Sequence, residues 1–201
     1  MNMKKVLLVL LILPLLLITS CGRPTDEELF HEVQKTISNF NNYKCTSNIV
    51  VKSNKGETKY VFIETFVKPD KIKLEIIEPK DSFGCIIIYD GLKMFLVHPS
   101  INQTITLENI KSIDRQYFLG DFFKNLSLCE KPQIMKEKIG EEEYIIINID
   151  MPAQNQYRCS QSVWFNVKDF IPYKMNILDK EGIVNTEVIY EDFDYDIILE
   201  Q

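Results

Sequence analysis

Apolar residues change their spacing along this chain, and each change marks an element. Residues 6–18 are almost unbroken apolar, interrupted only by Pro14, behind a short positive stretch that holds Lys4 and Lys5. Thr19, Ser20 and Cys21 follow. A positive start, an apolar stretch and small residues at its end make a secretory signal. The run is about 13 residues long, short of the roughly 20 that span a bilayer, so it predicts export rather than a spanning helix. Gly22, Arg23 and Pro24 make a tether. Helical spacing begins after it, with Leu29, Phe30, Val33, Ile37 and Phe40 forming one stripe. Thr25-Asp26-Glu27-Glu28 has the residues of a capping box, and acids in the first turn suit the helix dipole. Asn41 and Asn42 end this helix, and His31 lies off its stripe, where solvent is expected.

From residue 43 the period becomes two. The alternation predicts strands at 43–52, 57–67, 71–78, 83–89, 92–98 and 103–107, with turn residues between them. Within 71–78, Ile72, Leu74 and Ile76 face one way while Lys71, Lys73 and Glu75 face the other. Residues 83–89 are strongly apolar, the pattern of a strand buried on both faces, and Asp90-Gly91 reads as a tight hairpin. Such short connections imply an antiparallel meander. Helical spacing then returns between 111 and 128, through Ile113, Tyr117, Phe118, Phe122, Phe123 and Leu126. This aromatic helix needs a large apolar partner, and a face of the sheet is the expected one. The alternative is a lid over a lipid or peptide cavity. Strands resume at 133–138, 143–150, 160–167, 169–178 and 183–190, with 151–158 expected as a polar loop. The acidic tail from 191 is expected to add at most a last edge strand. There is no internal repeat and no linker.

Charge and chemistry narrow the function classes. The net charge of -6 becomes -8 once Lys4 and Lys5 leave with the signal. Nucleic acid is excluded as a partner, because phosphate contacts need clustered Lys and Arg. Setting Cys21 aside, Cys45, Cys85, Cys129 and Cys159 are widely spaced with no C-x-x-C, so neither a zinc knuckle nor a thioredoxin-like motif is present. Export permits disulfides, but Cys45 and Cys85 lie in apolar runs where a thiol packs as a small hydrophobe. The two histidines, His31 and His98, sit in unlike contexts far apart, and no nucleophile stands beside either in sequence. Acids cluster at 141–143 and at 191–196, as solvated turns and tails do. Asp192, Asp194 and Asp196 lack the glycine and distal glutamate of an EF-hand. No catalytic residue, metal or cofactor is implied.

Two stretches resemble known patterns. Ile18-Thr19-Ser20-Cys21 resembles the bacterial lipobox. That resemblance implies cleavage between Ser20 and Cys21 and a lipid, with acyl chains such as palmitate, on Cys21. It divides the chain into a signal (1–20), a lipidated tether (21–24) and a domain (25–201). The segment from Val67-Lys68-Pro69-Asp70 through Glu75, then Pro79, then Tyr89-Asp90-Gly91-Leu92-Lys93-Met94-Phe95 is similar to the LolA/LolB-like family, as is the late hairpin from Pro172 to Gly182. This implies an α+β fold, an antiparallel unclosed β-barrel or half-barrel wrapped over helices, with an apolar concave face. Family members include lipoprotein carriers and clostridial spore-germination lipoproteins that partner a cortex amidase. The resemblance therefore implies a non-enzymatic lipoprotein, tethered to the outer face of a bacterial membrane, that binds and regulates a cell-wall amidase. The alternative is a carrier of lipid or lipoprotein acyl chains. Phe62, Phe66, Leu74, Phe95 and Trp164 are the expected residues of the ligand or partner face. An unclosed sheet also offers edges for strand pairing, including a homodimer.

Overall fold

The computed structural model describes residues 24–107 and 117–199. The signal, Cys21 and residues 111–116 of the second expected helix lie outside them. Helix α1 (Asp26–Asn39) starts where the capping box placed it. The Glu28 N–H donates to Thr25 Oγ1 at 3.2 Å, and the Thr25 N–H donates to Glu28 Oε2 at 2.8 Å. Leu29 and Val33 are its buried residues.

Six strands follow: β1 (Asn42–Ser53), β2 (Gly56–Val67), β3 (Lys71–Glu78), β4 (Ile86–Tyr89), β5 (Met94–His98) and β6 (Gln103–Leu107). Helix α2 (Leu119–Leu128) leads to β7 (Gln133–Ile139), β8 (Glu142–Asn155), β9 (Arg158–Asn166), β10 (Pro172–Leu178) and β11 (Val184–Tyr195). All pairings are antiparallel, in one 11-stranded sheet ordered β6-β5-β4-β3-β2-β1-β11-β10-β9-β8-β7. Two meanders are thus joined along one seam, β1 against β11, and the sheet ends on β6 and β7 without closing. This is the α+β half-barrel that the LolA/LolB resemblance implies. Alternation sets the faces: in β1, Tyr43, Cys45, Ser47 and Ile49 are buried beneath the helices while Lys44 is exposed.

Four expectations are corrected. Residues 151–155 are strand, with Met151 buried and only Gln156 and Tyr157 at the tip; Pro152 and the amides around it read as loop because they favour turns in isolation. The tail is not an edge. β11 runs on to Tyr195 at the centre of the sheet, since Phe193 and Tyr195 pack on Tyr43 and Phe40. A register shift between Lys44 and Thr46 and a positive φ of 50° at Asp192 take up the irregularity. Residues 83–85 leave the sheet, and Phe83 is 65% exposed. Finally, Asp90-Gly91 closes a wider loop: the Asp90 carboxylate accepts the N–H groups of Leu92 and Lys93, both at 2.8 Å, and Gly91 takes a φ of 100° that other residues resist. Cys45, Cys85, Cys129 and Cys159 are all free thiols, the first two buried.

Candidate binding surfaces

The concave face is a filled core. Phe66 of β2, Phe122 and Phe123 of α2 and Phe165 of β9 belong to one buried cluster with Leu119, Tyr43 and Val33. Helix α2 lies so close to β2 that a Cβ on Gly120 would sit 2.6 Å from the Phe66 ring. Only a glycine admits this approach. Phe40 bridges the two helices, 5.4 Å between centroids from Phe123.

Inside this apolar layer lies a polar knot that the sequence did not announce. Glu64 of β2 is fully buried. Tyr43 Oη donates to its Oε1 at 2.5 Å and Ser47 Oγ donates to its Oε2 at 2.6 Å. The backbone N–H of Leu119, in the first turn of α2, reaches the same carboxyl group. Burial pushes the Glu64 carboxyl up, against the opposing pull of its hydrogen bonds to Ser47, Tyr43 and Leu119. Burial, then the charge of Glu64, likewise push the Cys45 thiol and the Tyr190 hydroxyl well up. The knot ties β1, β2 and α2 together. The available signal was an odd glutamate in the apolar half of β2, between Phe62 and Phe66.

The expected face residues divide. Phe62, Phe66 and Leu74 share the concave side. Phe95 and Trp164 do not. Phe95 pairs with Ile88, next to the core-facing Ile87, so it lies on the convex side. Trp164 belongs to a separate convex cluster with Tyr144 and Ile146. Its indole N–H donates to Glu137 Oε2 at 2.6 Å, and Lys174 Nζ sits 4.2 Å from its ring centroid. One residue of register decides each placement, because neighbouring strand residues face opposite ways.

Strands β4 to β6 form an arm that is apolar on both faces. Ile86, Ile88, Phe95 and Val97 lie on the convex side; Ile87, Tyr89, Met94 and Leu96 lie on the concave side. All are half-buried. The outer strand β6 carries no charge and no proline, and Ile105 and Leu107 are 53% and 44% exposed. The opposite edge is guarded: Lys136 of β7 donates to the Pro24 carbonyl and pairs with Asp26, each at 2.8 Å. Natural sheets blunt their edges with such charges, and among the described residues none blunts β6 in this way.

A cavity of about 1270 Å³ opens at the end of the half-barrel where the β1–β2, β8–β9 and β10–β11 turns meet, beside Tyr117. Among the described residues no three acidic, histidine or cysteine side chains converge as metal ligands. Asp196 instead accepts the Asn41 N–H at 2.7 Å.

A family model described as "Sporulation protein YdcC-like" matches residues 3–201. The chain belongs to this family. Sporulation protein YdcC of Bacillus subtilis (strain 168) is 19% identical over 192 residues, 94% of this chain but 56% of that protein, so this chain spans little more than half its length. The GerS lipoprotein, solved in complex with the CwlD amidase from Clostridioides difficile, is 34% identical; the match covers 88% of this chain and 99% of that one, with a TM-score of 0.53. An uncharacterized conserved protein from Thermus thermophilus shares the fold, at 11% identity, 86% and 88% coverage and a TM-score of 0.54. The YdcC-like chain described here thus combines a GerS-like sequence with an open sheet over a solid core.

Proposed function

We propose that this protein is an exported lipoprotein, cut after Ser20 and anchored through a lipid on Cys21, that binds and regulates a peptidoglycan-cortex amidase in spore formation or germination. The observation that carries this reading is 34% identity, over 88% of the chain, to a lipoprotein solved in complex with an amidase. The β4–β6 arm supports it and is the proposed docking surface. A strand such as β4, apolar on successive residues, belongs in a sheet covered on both faces, and the described residues leave both faces half open. An interface core needs such apolar area, rimmed by polar groups. The proposed role is binding: the His98 ring and the Ser100 hydroxyl, 3.0 Å apart, meet within one exposed turn two residues apart, a contact that turn geometry explains. The filled concave face disfavours the acyl-carrier alternative, since Phe66, Phe122, Phe123 and Phe165 take the space that cargo would need.

The test is co-purification of the full-length lipidated chain with the amidase from sporulating cells. A stoichiometric complex is expected, and Phe95→Glu or Ile88→Glu on the half-exposed arm should abolish it while leaving the circular dichroism spectrum unchanged. A folded chain that neither binds nor alters the amidase overturns the proposal. Cys21→Ala should release the protein from the membrane fraction, and mass spectrometry of the wild type should find acyl chains on Cys21.

A further inference from the structure

The cavity at the end of the half-barrel is separate from the arm and opens at the margin of the filled core, against which its lining residues Val51 and Tyr117 pack. Its outstanding side chain is Tyr157, at the tip of the β8–β9 hairpin and 65% exposed. The backbone beneath that ring is held on both sides. The Tyr157 N–H donates to Asn155 Oδ1 at 2.9 Å, and the Tyr157 carbonyl accepts from Asn185 Nδ2 of β11. An aromatic ring held in water on a fixed backbone contributes nothing to the core. It does offer a flat apolar platform at low entropic cost to whatever stacks on it.

Beside the platform stand the amides of Asn54, Gln156 and Asn185 and the Ser53 hydroxyl, and the apolar Val51, Ile183 and Val184 line the same cavity. Amide side chains present a donor pair and an acceptor together, which matches the mixed donor and acceptor pattern of sugar hydroxyls. Three lining residues are charged, Lys52, Arg158 and Asp179, and the last two are already engaged. The Arg158 guanidinium hydrogen-bonds the Tyr117 hydroxyl and lies 4.9 Å from its ring centroid. Asp179 Oδ1 accepts the N–H groups of Glu181 and Ile183, both at 2.9 Å, and so shapes the β10–β11 turn. A ligand here needs little charge, many hydroxyl or amide groups and one flat face of C–H bonds. The apolar part of the wall suits the C–H faces of sugar rings, and the acidic chain repels polyanions. The volume of about 1270 Å³ exceeds the roughly 300–1,000 Å³ of a pocket for one drug-sized molecule, which leaves room for more than one ring.

We propose that this cavity is a saccharide-binding site that takes a short stretch of N-acetylated glycan, with Tyr157 as the stacking platform and the amides of Asn54, Gln156 and Asn185 reading its hydroxyl and acetamido groups. The assignment does not depend on the amidase reading, because it uses a different region of the sheet.

The experiment is calorimetric titration of the full lipidated chain, in detergent, with N-acetylglucosamine tetramer. Saturable binding is expected. Tyr157→Ala should weaken it about tenfold, the worth of one aromatic stacking contact of about 1.4 kcal/mol, while Tyr157→Phe keeps it within about twofold. Both variants should keep the wild-type melting temperature, because the ring is exposed, and both should still bind the amidase. Absence of binding by the folded wild type, binding that Tyr157→Ala leaves unchanged, or displacement of the glycan by phospholipid vesicles would each overturn the assignment.

Discussion

Glu64 and Gly120 show how single positions hold the helix to the sheet. Glu64 is an acid whose folded-state pKa is raised, mainly by burial. The folded state therefore holds its proton more tightly than the unfolded chain does. Stability from this group is full below about pH 4.3, where an exposed glutamate titrates, and is lost as pH rises through the folded value. Urea midpoints should fall with rising pH across that window, and Glu64→Gln should flatten the slope. Glu64→Ala should cost about 3–5 kcal/mol at low pH, and less as pH rises, because Tyr43, Ser47 and the Leu119 N–H lose their common partner in the interior. At Gly120 two effects compete. Alanine is the better helix former by up to about 1 kcal/mol, but its methyl would meet the Phe66 ring at 2.6 Å. Overpacking of this kind costs about 1–3 kcal/mol. Gly120→Ala should therefore lower the melting temperature by a few degrees, against the usual sign.

At the scale of elements, local and tertiary terms carry different weights. Helix α1 is specified by its own ends, so Thr25→Ala, which removes the Thr25 side-chain half of the capping box, should cost about 1 kcal/mol in equilibrium unfolding. Helix α2 has no side-chain cap at Phe118; its order comes from Phe122, Phe123 and Leu126 packed on the sheet and from Glu64 beneath its first turn. The arm β4–β6 sits at the other extreme. Its strands pair well with each other but bury little, and regions with few buried contacts open first. Amide exchange should be fastest in β5 and β6 and slow sharply when the proposed partner is bound.

Across the whole molecule, the β1–β11 seam is the single join between two meanders. A chain ending at Tyr190 would lose Phe193 and Tyr195 and the end of that seam, where Tyr43, Lys44 and Thr46 are paired. Burying one aromatic is worth about 3–5 kcal/mol, a large part of the roughly 5–15 kcal/mol that holds a domain together. The truncated chain should be largely unfolded. Trp164 is the only tryptophan and is packed under Lys174, so its fluorescence reports the change. Phe193→Ala should give the milder, still folded case.

Much of this architecture is a local property of the chain. The capping box and stripe of α1, the alternation of β1 to β3 with Cys45 on its buried face, and the aromatic composition of α2 all follow from spacing, because side-chain direction in helices and strands has a fixed period. The motif around Pro69 and Tyr89 carried the half-barrel. Other features depend on residues far apart in sequence. An acidic tail becomes a central strand only because β1 offers it an edge and Tyr43 and Phe40 receive Phe193 and Tyr195. Phe95 and Trp164 face outward because register, which no local signal sets, chooses between two opposite faces. Glu64 is stable in the interior only where Tyr43, Ser47 and Leu119 converge on it from β1 and α2. The cavity beside Tyr157 exists only because three hairpin turns meet at one end of the sheet. The sequence by itself determined the elements and their apolar faces; tertiary structure alone decided which face met which, since that choice rests on contacts between residues tens to more than a hundred positions apart.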